Sequence, residues 1–160
     1  MSIKITSQAI NLNTLVDKIK SSKKTLSIGF LSSKEAQIAA KNEYGGTYAT
    51  DDEYKARGAA KGIDVPDTID IPPRPFMQNT VTKQKAKWAK TAIHVTKDNG
   101  GDIEKALVVV GAQAVADIRE TIEEGDFTPN SERTVEIKNG ADPLIDTGEM
   151  SKSIAWEVTK

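Results

Sequence analysis

Hydrophobic positions along the chain change their period several times, and each change predicts an element. Ile3 and Ile5 alternate with polar neighbours, after which Leu12, Leu15, Val16 and Ile19 recur at helical spacing, so a short strand or arm is expected before a helix near residues 8–22. Leu26, Ile28 and Phe30 alternate with Thr25, Ser27 and Gly29, the pattern of a half-buried strand. Small apolar residues over Lys34 to Asn42 predict a short helix, stopped at Tyr44-Gly45-Gly46, where glycine accepts positive φ. Residues 47–70 are Gly-, Ala- and charge-rich with no apolar period, and are expected to form an extended loop or arm.

Ile69 and Ile71 then lead into Pro72-Pro73-Arg74-Pro75-Phe76, where the prolines exclude helix until Pro75, itself suited to a first helical turn. A rigid strand-to-helix corner is expected there. The helix it opens has Met77, Val81, Trp88, Ala92 and Val95 on one side and stops at Asn99-Gly100-Gly101. Asp102 caps the next helix, whose stripe is Ile103, Leu107, Val110, Ala114, Ile118 and Ile122, ending at Gly125. The short link makes these two helices antiparallel neighbours, and Gly111, Ala112 and Ala116 are small enough to let them approach closely. The tail reads as a strand around Val135 and Ile137, a turn at Asn139-Gly140, a capping box from Asp146 to Glu149 with a helical turn, and a last strand through Ile154, Trp156 and Val158.

These elements predict an α+β fold. A small, mostly antiparallel sheet packs against helices that start near Ile10, Pro75 and Asp102, the last two forming a long antiparallel pair, with the extended loop or arm at 47–70. At 160 residues a single domain over 1–160 is expected. Aromatic residues make up only 5% of the chain, so the core must be mainly Ile, Val, Leu and Ala. With 22 basic and 23 acidic residues, a net charge of −1, no global field draws the protein onto nucleic acid or an anionic membrane. Cysteine is absent, which excludes disulfides and thiolate chemistry and fits a reducing compartment. The sequence has no run of about 18 apolar residues and no apolar signal at Met1 to Ser7, so a soluble, unexported protein with no membrane partner is expected.

Little in the chain points to catalysis. Leu144-Ile145-Asp146-Thr147-Gly148 matches the hydrophobic-Asp-Thr-Gly of aspartic proteases, but only twelve residues follow Gly148, too few for a retroviral-type protease barrel. A cap-and-turn role is the simpler reading. His94, the single histidine, falls mid-helix beside a Lys-rich face, where a triad is improbable. No metal-ligand spacing and no phosphate-binding loop is present, so no catalytic residue, metal or cofactor is expected. Lys83, Lys87 and Lys90 share one helix face and form a candidate DNA-facing strip, although a solvated face is the ordinary outcome. The P-x-x-P spacing over Pro72 to Pro75 is better explained by the corner than by an SH3-type ligand.

Three segments in order resemble the tail-completion family of long-tailed bacteriophages and prophages, also described as a tail component or virion morphogenesis protein. They are Ala39-Ala40-Lys41-Asn42-Glu43-Tyr44-Gly45, then Ile71-Pro72-Pro73-Arg74-Pro75-Phe76, then Pro143-Leu144-Ile145-Asp146-Thr147-Gly148-Glu149-Met150 with Ser153-Ile154. Relatives often pass almost directly from the glycine to the proline motif, so segment 47–70 is a departure. The resemblance implies a non-enzymatic neck protein, located in the virion and in the host cytoplasm during assembly. It would form a ring, a homo-hexamer, at the head-proximal end of the tail. Its implied partners are its own copies, the tail terminator or tail tube protein and the head-closure or connector proteins, with DNA only passing through the lumen. A tail terminator capping the tube is the alternative, and a DNA-binding protein a remote one. Asn42, Glu43, Tyr44, Gly45, Arg74, Pro75, Phe76, Asp146, Thr147 and Gly148 are the expected interface or structural residues. Arg74 is expected to pair with a carboxylate, with Asp146 as candidate, and Phe76 to anchor the corner.

Overall fold

The computed structural model describes residues 21–138 and 140–160, together with Asp17. The expected N-terminal strand or arm and most of the helix near residues 8–22 lie outside the described residues.

Two long helices form the centre. α3 (Phe76–Asp98) and α4 (Ile103–Glu124) are antiparallel neighbours joined by a short turn, and Asp102 caps α4 by accepting from the Lys105 amide at 3.0 Å. The α4 stripe holds as read, with Val110, Ala114, Ile118 and Ile122 buried. On α3 the pattern misleads: Thr80 and Thr96 are buried while Val81 is 45% exposed. Each threonine hydroxyl returns to the carbonyl four residues earlier, Thr80 to Phe76 and Thr96 to Ala92, both at 2.7 Å, so its polar atom is satisfied in the core.

The other side of α4 carries a two-stranded antiparallel sheet, β1 (Thr25–Phe30) with β4 (Ile154–Thr159), in the register Ile28 to Trp156. The close approach made possible by Gly111 is to this sheet. A Cβ there would lie 2.6 Å from the Trp156 ring, whereas Ala112 and Ala116 are exposed, which corrects the reading of all three as helix-pair contacts. Phe76, Val115, Ile118, Ile122, Met150 and Ile154 belong to one buried cluster.

Between α1 (Ser33–Tyr44) and α3 the segment read as an extended loop or arm has structure of its own: β2 (Gly46–Ala49), α2 (Asp52–Ala59) and β3 (Thr68–Ile71). β2 and β3 pair antiparallel as a second sheet, and Asp51 caps α2 through the Tyr54 amide at 2.8 Å. Local capping and ladder hydrogen bonds order this excursion without the apolar period that the sequence lacks. The antiparallel strands therefore form two small sheets. The strand expected around Val135 and Ile137 is instead a helix, α5 (Glu132–Lys138), opened by the Ser131 hydroxyl, which accepts from the Thr134 amide at 3.3 Å. α6 (Glu149–Lys152) supplies the turn before β4.

Candidate functional site

A ridge at the end of α1 brings two of the three segments together. Gly45 ends the helix at φ 66°, its N–H donating to the Lys41 carbonyl at 3.0 Å. A Cβ at Gly45 would lie 2.7 Å from Pro73 N and 2.8 Å from the Ile71 carbonyl, so both conformation and space demand glycine where the two stretches of chain cross. The Arg74 amide donates to the Asn42 carbonyl at 2.6 Å, fixing the crossing.

Glu43 shows why the pair of motifs belongs together. Pro75 stands at the N-cap of α3 and offers no side-chain acceptor, leaving the first amides of a 23-residue helix unsatisfied from within. The Glu43 carboxylate, 6% exposed, accepts from the Met77 and Gln78 amides at 2.9 and 3.0 Å. One helix thus caps another, with a negative charge at the positive end of the dipole. Phe76, fully buried, locks the corner by an edge contact to Phe30 with ring centroids 6.4 Å apart.

Arg74 is 4% exposed, and its bonds differ from those expected. Nε donates to the Thr128 carbonyl at 2.8 Å, Nη1 to Asn42 Oδ1 at 2.9 Å, and Nη2 to Asn130 Oδ1 and the Pro129 carbonyl at 3.1 and 3.3 Å. The expected pairing with Asp146 is not made. Burial alone lowers the Arg74 pKa. The guanidinium ties the chain after α4 to the ridge through neutral acceptors.

Asp146 belongs to a different partner, Arg57 on α2, with bonds of 2.6 and 3.0 Å in the two-pronged geometry of a guanidinium and a carboxylate. The hydrogen bonds from Arg57 hold the Asp146 carboxyl below the ordinary aspartate range. It is therefore not the cap of α6. Gly148, at φ 76°, occupies that position without a side-chain bond, and the Thr147 hydroxyl accepts from the Glu149 amide at 3.4 Å.

The ridge separates two hollows. One is an apolar groove of about 470 Å³ lined by Phe30, Ala40, Tyr44, Phe76, Met77 and Val81. The other, about 510 Å³, has Asn42, Arg74 and Asp146 in its wall, so residues from all three sequence segments face one space. Lys83, Lys87 and Lys90 lie elsewhere, exposed along α3, and Lys87 is engaged with Asp117 on α4 at 3.0 Å. Asp117, 5% exposed, also accepts from Trp88 Nε1 at 2.6 Å. His94 sits on the exposed face of α3, 3.1 Å from Asp98. Among the described residues no group of three or more His, Asp or Glu is placed to hold a metal, and no helix is long and apolar enough to cross a membrane.

Sequence reasoning missed Arg57, Asn130 and Asp117. Arg57 lay in the segment read as an arm, and Asp146 is 89 residues away. Asp117 interrupts an apolar stripe, and that interruption was the available signal for a buried polar contact. Compared with known protein families, characterised proteins and solved structures, the chain finds no match in any of the three.

Proposed function

We propose that the chain is a structural assembly protein of a tailed bacteriophage virion, a tail-completion or neck subunit whose copies form a ring and join the tail to the head connector. The observation that carries this reading is the ridge. Asn42, Glu43 and Gly45 meet Arg74 and Phe76 as a single built corner, and apolar residues stay open to solvent beside it. Tyr44 is 71% exposed and Val81 45%, on the rim of the apolar groove, and Leu31, next in sequence to the groove residue Phe30, is 80% exposed. A surface that leaves large apolar side chains around a groove is suited to contact with another protein. The Asp-Thr-Gly segment fits a structural role as well. A protease dyad needs two carboxylates sharing a proton, and Asp146 is instead bound to a guanidinium.

Ring closure requires heterologous contacts, in which different patches of one surface meet. The groove and the ridge supply one such patch. The test is the protein content of purified virions, and of tailless and headless intermediates, from the genome that encodes the chain. The reading expects the chain in complete particles and at the head-proximal tail end, where labelled antibody should mark it. Its presence in lysate but never in particles would contradict the reading. A particle defect of tails with unregulated length would transfer it to the terminator role.

A further inference from the structure

The larger hollow has an unequal balance of charge. Three carboxylates reach it: Asp146 is paired with the Arg57 guanidinium, whereas Asp51 and Asp70 hold neutral donors, the Tyr54 amide and the Thr47 hydroxyl, and keep their charge. Four cations line it, Lys41, Arg74, Arg133 and Lys138, and Lys41 lies over the Tyr48 ring, 5.2 Å from its centroid. Arg74 bonds only to carbonyl and amide oxygens, and Lys138 Nζ donates to the Asp142 and Pro143 backbone carbonyls at 2.9 and 3.4 Å. Burial is the first cause of a lowered pKa at both. Neutral acceptors satisfy Arg74 without cancelling its charge, and a buried cation keeps a positive potential in a medium that screens it poorly, whereas Lys138 is half-buried and its charge is partly offset by the nearby Asp146 and Asp142 carboxylates. Arg133, exposed at the rim, makes no ion pair among the described residues.

We propose that this hollow receives a carboxylate, an Asp or Glu side chain on an extended segment of a partner protein, set against Arg74, Lys138 and Arg133. Ile38, Tyr48, Ile69 and Leu144 provide apolar wall for the aliphatic part of such a segment. The three fixed carboxylates favour a single negative charge over a polyanion, which separates this ligand from a nucleic-acid backbone. The proposal rests on the assembly reading only for who presents the carboxylate.

The experiment is a titration of the ¹⁵N-labelled full chain with the peptide acetyl-Gly-Ile-Asp-Ile-Gly-amide, with its Asn counterpart, and with inorganic phosphate. The expected result is saturable shifts at Arg74 Nε–H and at the Asn130 and Lys138 amides, with the Asn peptide about tenfold weaker. Arg133→Gln and Lys138→Met should each weaken the acidic peptide several-fold while the remaining spectrum stays unchanged. Equal response to the two peptides, no saturation, or tighter binding of phosphate than of the acidic peptide overturns the proposal. Because no ring is needed for these shifts, failure here is separate from failure of the chain to appear in virions.

Discussion

Glu43 supplies what Pro75 cannot. A proline at the start of a helix fixes φ but contributes no acceptor, so the carboxylate that satisfies the Met77 and Gln78 amides comes from a neighbouring helix. Glu43→Ala should destabilise the fold by about 1–2 kcal/mol in urea unfolding, and Glu43→Gln by less, because the amide oxygen keeps a hydrogen bond but loses the dipole interaction. Gly45→Ala combines a positive φ with a 2.7 Å contact to Pro73 N and should cost more than about 1 kcal/mol in the same assay. At Arg74 the residue was legible and its partners were not. Prolines on both sides marked it as held, but the acceptors of Thr128 and Asn130 lie more than fifty positions away, in a stretch without periodic pattern. Arg74→Met should cost about 2 kcal/mol by leaving those part-buried acceptors unpaired, and loss of stability rather than of charge is the expected signature.

Elements with an apolar stripe were readable, and those held by polar contacts were not. α4 and β4 follow their periods because burial is what forms them. α2 has no such stripe: it is held by Arg57 to Asp146, by the Tyr54 hydroxyl to Thr134 at 3.1 Å, and by Lys61 just beyond it to the Glu136 carbonyl at 2.6 Å. Contacts made between residues about eighty positions apart leave no local trace, so 47–70 reads as an arm. α5 was misread for a related reason, since alternating Val135 and Ile137 also fit a helix seven residues long once Ser131 caps it. Because the Asp146 pKa is lowered on folding, its contribution is present above the unfolded aspartate value of about 3.9 and is lost as pH falls through the folded value. The protection of α2 amides, taken relative to intrinsic exchange at each pH, should therefore fall below about pH 4. Asp146→Asn should remove that step and quicken exchange at neutral pH, at a cost of about 1 kcal/mol once solvent screening is allowed for.

At the scale of the whole molecule the chain has a tight interior joint and an unfinished surface. α4 lies between α3 and the β1–β4 sheet, and the ridge beside it is fully bonded within, yet Leu31, Tyr44 and Val81 remain outside. The exposed apolar rim predicts that association, not folding, is what a charged substitution there disturbs. The direct measurement is the mass of the purified protein by light scattering, alone and mixed with the tail-tube and head-connector proteins of the same gene neighbourhood, for the natural chain and for Val81→Asp. The account predicts a closed ring, or a complex with one of those partners, that Val81→Asp abolishes while its free energy of unfolding stays within about 0.5 kcal/mol of the natural chain's. A natural chain that stays monomeric with every partner, or a Val81→Asp variant that assembles equally well, would contradict it.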